Sequence, residues 1–153
     1  PRKAETEVYG PDFGKGSHDI SEMVQNIDLA PTILEYAGVE IPEEMQGESF
    51  LGLMRGVSAR DMKTDTGKGW RNALYYHYYE YPAEHAVRRH YGIRTERYSL
   101  MHFYHDIDSW ELYDLKSDPL QMHNIYNAPE AEDILPDPMK KLHELQQLYE
   151  DPI

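Results

Sequence analysis

Residues 73–115 read ALYYHYYEYPAEHAVRRHYGIRTERYSLMHFYHDIDSWELYDL. Four short runs in this stretch are rich in aromatic and β-branched residues: Ala73–Tyr79, Val87–Thr95, Tyr98–Tyr104 and Trp110–Leu115. Turn or polar clusters separate them, namely Tyr81-Pro82-Ala83-Glu84, Glu96-Arg97 and His105-Asp106-Ile107-Asp108. That alternation of β-formers and breakers predicts an antiparallel meander of about four strands. Glu96-Arg97 is short enough for a two-residue hairpin, although it lacks the Asn-Gly or Asp-Gly that favours one. In the second run Val87, Arg89, Tyr91, Ile93 and Thr95 fall on one face. Arg88, His90, Gly92 and Arg94 fall on the other, because side chains change sides at every residue. A sheet with one mixed apolar face needs a cover. The C-terminal region supplies one, where Met139, Leu142, Leu145 and Tyr149 recur at helical spacing after a start at Asp137-Pro138. The fold class expected is α+β, with the sheet packed on a C-terminal helix.

Upstream, residues 23–38 read MVQNIDLAPTILEYAG. Asp28 is placed to cap a helix with Pro31 in its first turn, where a missing N–H costs nothing. Gly38 ends that helix in the left-handed conformation. Ser49 is expected to cap a second short helix over Phe50–Arg55, ended by Gly56. Residues 57–68 have linker composition and 128–137 read as an acidic loop. Residues 1–22, with Gly10, Gly14 and Gly16 and no period, read as a loop as well.

The totals exclude several classes. A net charge of −13 argues against nucleic acid or an anionic membrane as partner. With 12 % aromatics and 13 tyrosines the chain is not of disordered composition. The absence of cysteine removes disulfides, thiolate metal sites and a cysteine nucleophile. No apolar run approaches membrane-spanning length.

Three constellations carry possible chemistry. His77, His85, His90, His102 and His105 are dense, but none has the helical i, i+4 spacing of a specific metal motif, so scattered surface or structural histidines account for them. Arg88, Arg89, His90, Arg94 and Arg97 reverse the sign of a strongly acidic chain. Guanidinium groups suit sulfate, phosphate and carboxylate, while internal pairing with Glu80, Glu84, Asp106 or Glu111 is the alternative. The run Tyr75–Tyr81 offers rings and hydroxyls suited to sugars, or simply fills a core on alternate residues. Nucleophile-elbow, phosphate-loop and zinc-protease motifs are all missing.

The two ends of this region resemble a known family. NIDLAPTILEYAGVEIPEEMQGESFLGLMRG (26–56) is similar to the segment that follows the catalytic core of type I, alkaline-phosphatase-like sulfatases. WELYDLKSDPLQMHNIYN (110–127) is similar to their C-terminal Glu-Leu-Tyr-Asp-Leu, Asp-Pro, Asn-Leu signature. HYYEYPAEHAVRRHYGIRTERY (77–98) resembles bacterial members that act on N-acetylglucosamine 6-sulfate or heparan-type sugars. Gly52, in place of a more usual Pro, and Ser99, in place of Lys, depart from the pattern. The resemblance implies hydrolysis of sulfate esters with calcium and a formylglycine made from Cys or Ser, in a periplasmic or secreted protein. The Cys/Ser-x-Pro-x-Arg motif and the acidic metal-binding segments are absent from these residues. The expectation is a C-terminal part, inactive alone. Residues 1–60 would be the tail of a catalytic domain and 70–153 a smaller C-terminal domain. Its partners would be a sulfated glycan and the missing catalytic domain. By position in the matched motif, His77, Glu80, His85, Arg89 and His90 would contact the sugar or its sulfate, none acting as nucleophile or metal ligand. Apolar surface left without the catalytic domain would favour a homodimer. A free-standing anionic-glycan module and a purely structural domain remain the competing readings.

Overall fold

A computed structural model describes residues 19–64 and 67–153. Most of the loop expected over residues 1–22 lies outside the described residues, and 19–22 carry no helix or strand. The chain divides into two compact units, Pro1–Arg71 and Asn72–Ile153.

In the first unit, α1 spans Leu29–Tyr36 and α2 spans Leu51–Met54. Pro31 sits in the first turn of α1, and Gly38 follows the helix with φ +70°, as expected from the sequence. Asp28 is the N-cap residue, but its backbone is helical and its side chain makes no capping bond to α1. Its carboxylate turns instead to other partners, described below. Ser49 Oγ does accept from Leu51 N at 3.2 Å, and Gly56 has φ +81°. Within the stretch expected as a linker, β1 (Lys63–Thr64) pairs antiparallel with β2 (Gly67–Lys68), and Met62 is buried. Backbone bonds Gly69 N to Met62 O and Trp70 N to Ala59 O close this region. The boundary between units therefore falls after Arg71, because a buried apolar side chain and paired backbone override polar composition. Gly52 is also explained, since a Cβ there would meet Met62 Sδ at 2.6 Å.

The second unit is the predicted meander. β3 (Ala73–Tyr78), β4 (His90–Thr95), β5 (Tyr98–Phe103) and β6 (Ser109–Asp114) pair in sequence order, all antiparallel. The Glu96-Arg97 hairpin forms without a positive φ at either residue; Thr95 Oγ1 accepts from Tyr98 N at 2.8 Å and closes it. Register sets Tyr75, Ile93, Leu100 and Leu112 side by side across the four strands. Ile93, Leu100 and Leu112 are fully buried on that face. α4 (Pro136–Leu148) covers it with Leu142, which is also fully buried, while Met139, Leu145 and Tyr149 pack at the margin. Each such side chain contributes roughly 1.5–3 kcal/mol by leaving water.

Two further details differ from expectation. β4 begins at His90 rather than Val87, because β3 turns away after Tyr78 and the β3–β4 register ends at His90. The acidic loop contains a short helix, α3 (Ala131–Ile134), nucleated on the buried Ala131. The Asn of the C-terminal signature has a structural task. Asn124 Oδ1 accepts from Leu112 N and Tyr126 N, and its Nδ2 donates to Trp110 O, so it seals the outer edge of β6.

Candidate functional site

In a four-stranded meander the first and third connections lie at the same end of the sheet. Residues 79–89 and 104–108 are therefore neighbours, although neither is close to the other in sequence. Tyr79 leaves β3 in a tight turn in which its carbonyl accepts from Tyr81 N at 3.0 Å, with Glu80 at the centre. The same carbonyl accepts from Arg89 Nε at 2.9 Å. Tyr81 N and Arg89 Nε thus meet at one backbone atom from the two ends of the loop. The terminal guanidinium nitrogens of Arg89 make no hydrogen bond among the described residues, which leaves a fork of donors anchored at its base. Arg88 is held differently. Its Nη1 lies 2.8 Å from Asp106 Oδ2, and its guanidinium sits 4.3 Å above the Tyr81 ring. Asp106 reaches it from a second tight turn, Tyr104 to Asp106, whose central residue His105 has φ +66°. A positive φ at a non-glycine residue is strained, and here it aims a carboxylate at the neighbouring loop.

Beneath this end lies a buried polar cluster. His77 Nδ1 is 2.6 Å from Asp151 Oδ2 and His77 Nε2 is 2.6 Å from the Tyr104 hydroxyl. Tyr75 and Tyr79 hydroxyls donate to the same carboxylate oxygen at 2.8 and 3.2 Å. In the neutral ring the carboxylate fixes the His77 proton on Nδ1, so Nε2 accepts from Tyr104. The His77 and Asp151 side chains are only 3 % and 5 % exposed. Burial pushes the Asp151 carboxyl up, but the bonds from His77, Tyr75 and Ile153 N outweigh it and hold it below the usual carboxylate range. Burial, reinforced by Asp151, raises the Tyr75 and Tyr79 phenols, so both stay protonated donors.

The five residues singled out in sequence fall into different places. Glu80 and His85 are exposed on the 79–89 loop, and Arg89 is half-buried at its base. His77 lies on the helix-covered face with its ring nitrogens engaged by Asp151 and the Tyr104 hydroxyl. His90 is on the opposite face. Its Nδ1 bonds Arg88 O and its ring packs between Tyr78 and Phe103 at 5.5 and 5.0 Å. The arginine cluster divides as well. Arg88 and Arg97 pair with Asp106 and Asp114, whereas Arg89 and Arg94 have no carboxylate partner among the described residues. Tyr79 lies in the aromatic run singled out in sequence, whereas Tyr104 and Asp151 escaped the sequence reading as site residues. Asp151 is 74 residues from His77, and no local pattern marks it.

Among the described residues no group of three His, Cys, Asp or Glu side chains could hold a metal ion. With no cysteine in the chain and no Cys/Ser-x-Pro-x-Arg motif, the residues present do not fit a calcium–formylglycine centre.

The first unit shows what its own motif residues do. Asp28 is fully buried, and both its oxygens are bound by Arg71, with Nη2 to Oδ1 at 2.8 Å and Nη1 to Oδ2. It also accepts from Gln25 N and, 20 residues on, from Glu48 N at 2.8 Å. Thr32 Oγ1 donates to Asp28 O and accepts from Phe50 N at 3.1 Å. Gly47 permits this docking, since a Cβ there would lie 2.0 Å from Ile27 O. The Asp-x-x-Pro-Thr and Gln-Gly-x-Ser segments are two halves of one backbone clamp.

A family model described as "N-sulphoglucosamine sulphohydrolase, C-terminal" matches residues 8–148. An N-acetylglucosamine-6-O-sulfatase of Bacteroides thetaiotaomicron is 47 % identical over 137 residues, covering 90 % of this chain and 24 % of the relative. A Δ4,5-hexuronate-2-O-sulfatase of the same organism is 29 % identical over 109 residues, covering 71 % of this chain and 21 % of the relative. A solved structure of a protein in complex with its substrate D-glucosamine-2-N,6-O-disulfate superposes with a TM-score of 0.70. It shares 48 % identity and covers 82 % of this chain and 24 % of that one. A 2-O glycosaminoglycan sulfatase superposes with a TM-score of 0.65 at 26 % identity, covering 81 % and 25 %. The chain spans about a quarter of the length of these relatives. The match over residues 8–148, with a meander and terminal helix shared by sulfatases of known structure, places this chain in the N-sulphoglucosamine sulphohydrolase C-terminal family.

Proposed function

We propose that this chain is the C-terminal part of a sulfuric ester hydrolase that removes sulfate from a sulfated N-acetylhexosamine or a heparan-type sugar. The observation that carries the reading is the Arg89 fork, anchored through Nε to the Tyr79 carbonyl and without a carboxylate partner among the described residues, in a chain of this family. In the proposal Arg89 binds an anionic group of the sugar, while the exposed Glu80 and His85 take its hydroxyl or amide groups. His77 and His90 hold the strands that carry them. Nucleophile, calcium and formylglycine come from the catalytic portion of a longer, periplasmic or secreted protein, and residues 72–153 alone release no sulfate. Leu29 and Ile33, at i and i+4 on α1, are 52 % and 64 % exposed. In the proposal the catalytic portion covers this stripe, and a second copy covers it when that portion is absent.

The test is sulfate release from N-acetylglucosamine 6-sulfate by the whole formylglycine-bearing protein. Arg89→Ala is expected to raise KM by about tenfold or more, the loss of one charge-assisted contact. A complete protein inert on sulfated hexosamines overturns the substrate class. The unpaired arginines also favour a second reading, a stand-alone anionic-glycan module. Retention of this chain alone on heparin at low salt, lost at high salt, would support that one.

A further inference from the structure

We infer that Asp151 is a positioning residue for Arg89, acting through His77 and Tyr79. The inference rests on the reading of Arg89 as the anion contact. The path is continuous. α4 ends in a turn in which Glu150 N donates to Gln147 O and Asp151 N donates to Gln146 O, with Glu150 at φ +51°. That turn brings the chain back under β3. There one oxygen of Asp151 collects His77 Nδ1 and the hydroxyls of Tyr75 and Tyr79. His77 also stacks on the Tyr79 ring, with centroids 3.7 Å apart and planes 25° from parallel. Tyr79 is therefore held at its hydroxyl and on its ring face, which fixes the orientation of its backbone. Its carbonyl is the single protein acceptor for Arg89 Nε among the described residues.

A guanidinium tethered at one nitrogen still swings unless the acceptor is rigid. The Tyr79 peptide opens a loop of exposed residues, so strand pairing does not hold it; β3 ends one residue earlier. The Asp151 cluster supplies the missing constraint through the Tyr79 ring and hydroxyl. Tyr104 extends the same support, since its hydroxyl bonds His77 Nε2 and its backbone N donates to Arg89 O at 3.3 Å. Arg89 is thereby fixed at its main chain and at its side chain by residues that all converge on His77.

The geometry predicts a loss of order at Arg89 without loss of the fold. The Arg89 Nε–H resonance should be protected from hydrogen exchange in the parent. Asp151→Asn keeps the shape but removes the negative charge and turns an NH2 donor towards either the three donors on Oδ2 or Ile153 N on Oδ1, and should speed that exchange about tenfold while the amides of Ile93 and Leu142 stay protected. Tyr79→Phe, which removes a single hydroxyl, should act in the same direction and decides the matter if Asp151→Asn unfolds. In the complete enzyme both variants should raise KM about tenfold and leave kcat within about twofold, a split that general destabilisation does not give. Unchanged Arg89 Nε–H exchange in both variants overturns the inference and leaves Asp151 as a fold anchor only. Faster exchange with unaltered KM upholds the coupling and defeats the reading of Arg89 as a substrate contact instead.

Discussion

His77 Nδ1 and Asp151 Oδ2 stand 2.6 Å apart, nearly sealed from solvent, although 74 residues separate them. The pair ties the segment after the last helix to the first strand of the sheet, at the end where Glu80 and Arg89 emerge. Its chemistry has a pH signature.

The Asp151 carboxyl is held below its ordinary value in the folded protein: burial raises it, and the donors led by His77 lower it further than that. A depressed carboxylate stabilises the fold above its unfolded pKa, near 3.9, and that contribution disappears as pH falls through the lower folded value. Titration from pH 6 towards 2, followed by near-UV circular dichroism of the tyrosines, should show an acid transition that Asp151→Asn lacks. In the variant the stability difference from the parent should shrink steadily as pH falls. An identical acid profile in both proteins would show that the carboxylate charge is not what holds the segment.

Asp28 and Gly47 should prove the most sensitive positions of the first unit. Asp28→Ala strands the Arg71 guanidinium and two backbone N–H groups, which costs about 3–5 kcal/mol for a broken buried pair. Gly47→Ala drives a methyl onto the Ile27 carbonyl and should cost about 2–3 kcal/mol. Because both act on one clamp, the double variant should be less destabilised than the sum of the singles. Urea denaturation of the four proteins measures this directly, and strict additivity would separate the two effects.

Glu150 adopts φ +51° in the turn that ends α4. A side chain in that conformation is disfavoured by about 1 kcal/mol relative to glycine. Glu150→Gly should therefore raise the melting temperature by a few degrees, with no change in the Asp151 contacts. A lower melting temperature would mean that the greater freedom of glycine in the unfolded chain outweighs the relief.

The strands, their antiparallel order, the Glu96-Arg97 hairpin and the covering helix were legible in sequence because each rests on a local periodicity. Tyr91 and Ile93 alternate with His90 and Gly92 at the strand period, and Met139, Leu142 and Leu145 recur at the helical one. The family was legible for a related reason: Asp28, Thr32, Gly47 and Asn124 are fixed by close backbone contacts that tolerate few substitutes. The start of β4 was not, since Val87 and Arg89 fit a strand equally well until β3 is seen to turn away. The β1–β2 pairing and the burial of Met62 were not legible either, because the polar composition of residues 57–68 carries no period.

Residue order alone determined which segments are strands or helices, since propensity and alternation act over a few neighbours. It also determined which chemistry is unavailable, through the missing cysteine and nucleophile motif. Only the tertiary structure decided which side chains share a site. His77 and Arg89 look alike as polar residues among aromatics, yet one is enclosed with both nitrogens bound and the other keeps an open fork. That difference arises from Asp151, which reaches its place when α4 closes over the sheet, and from the Tyr79 carbonyl just beyond the end of β3.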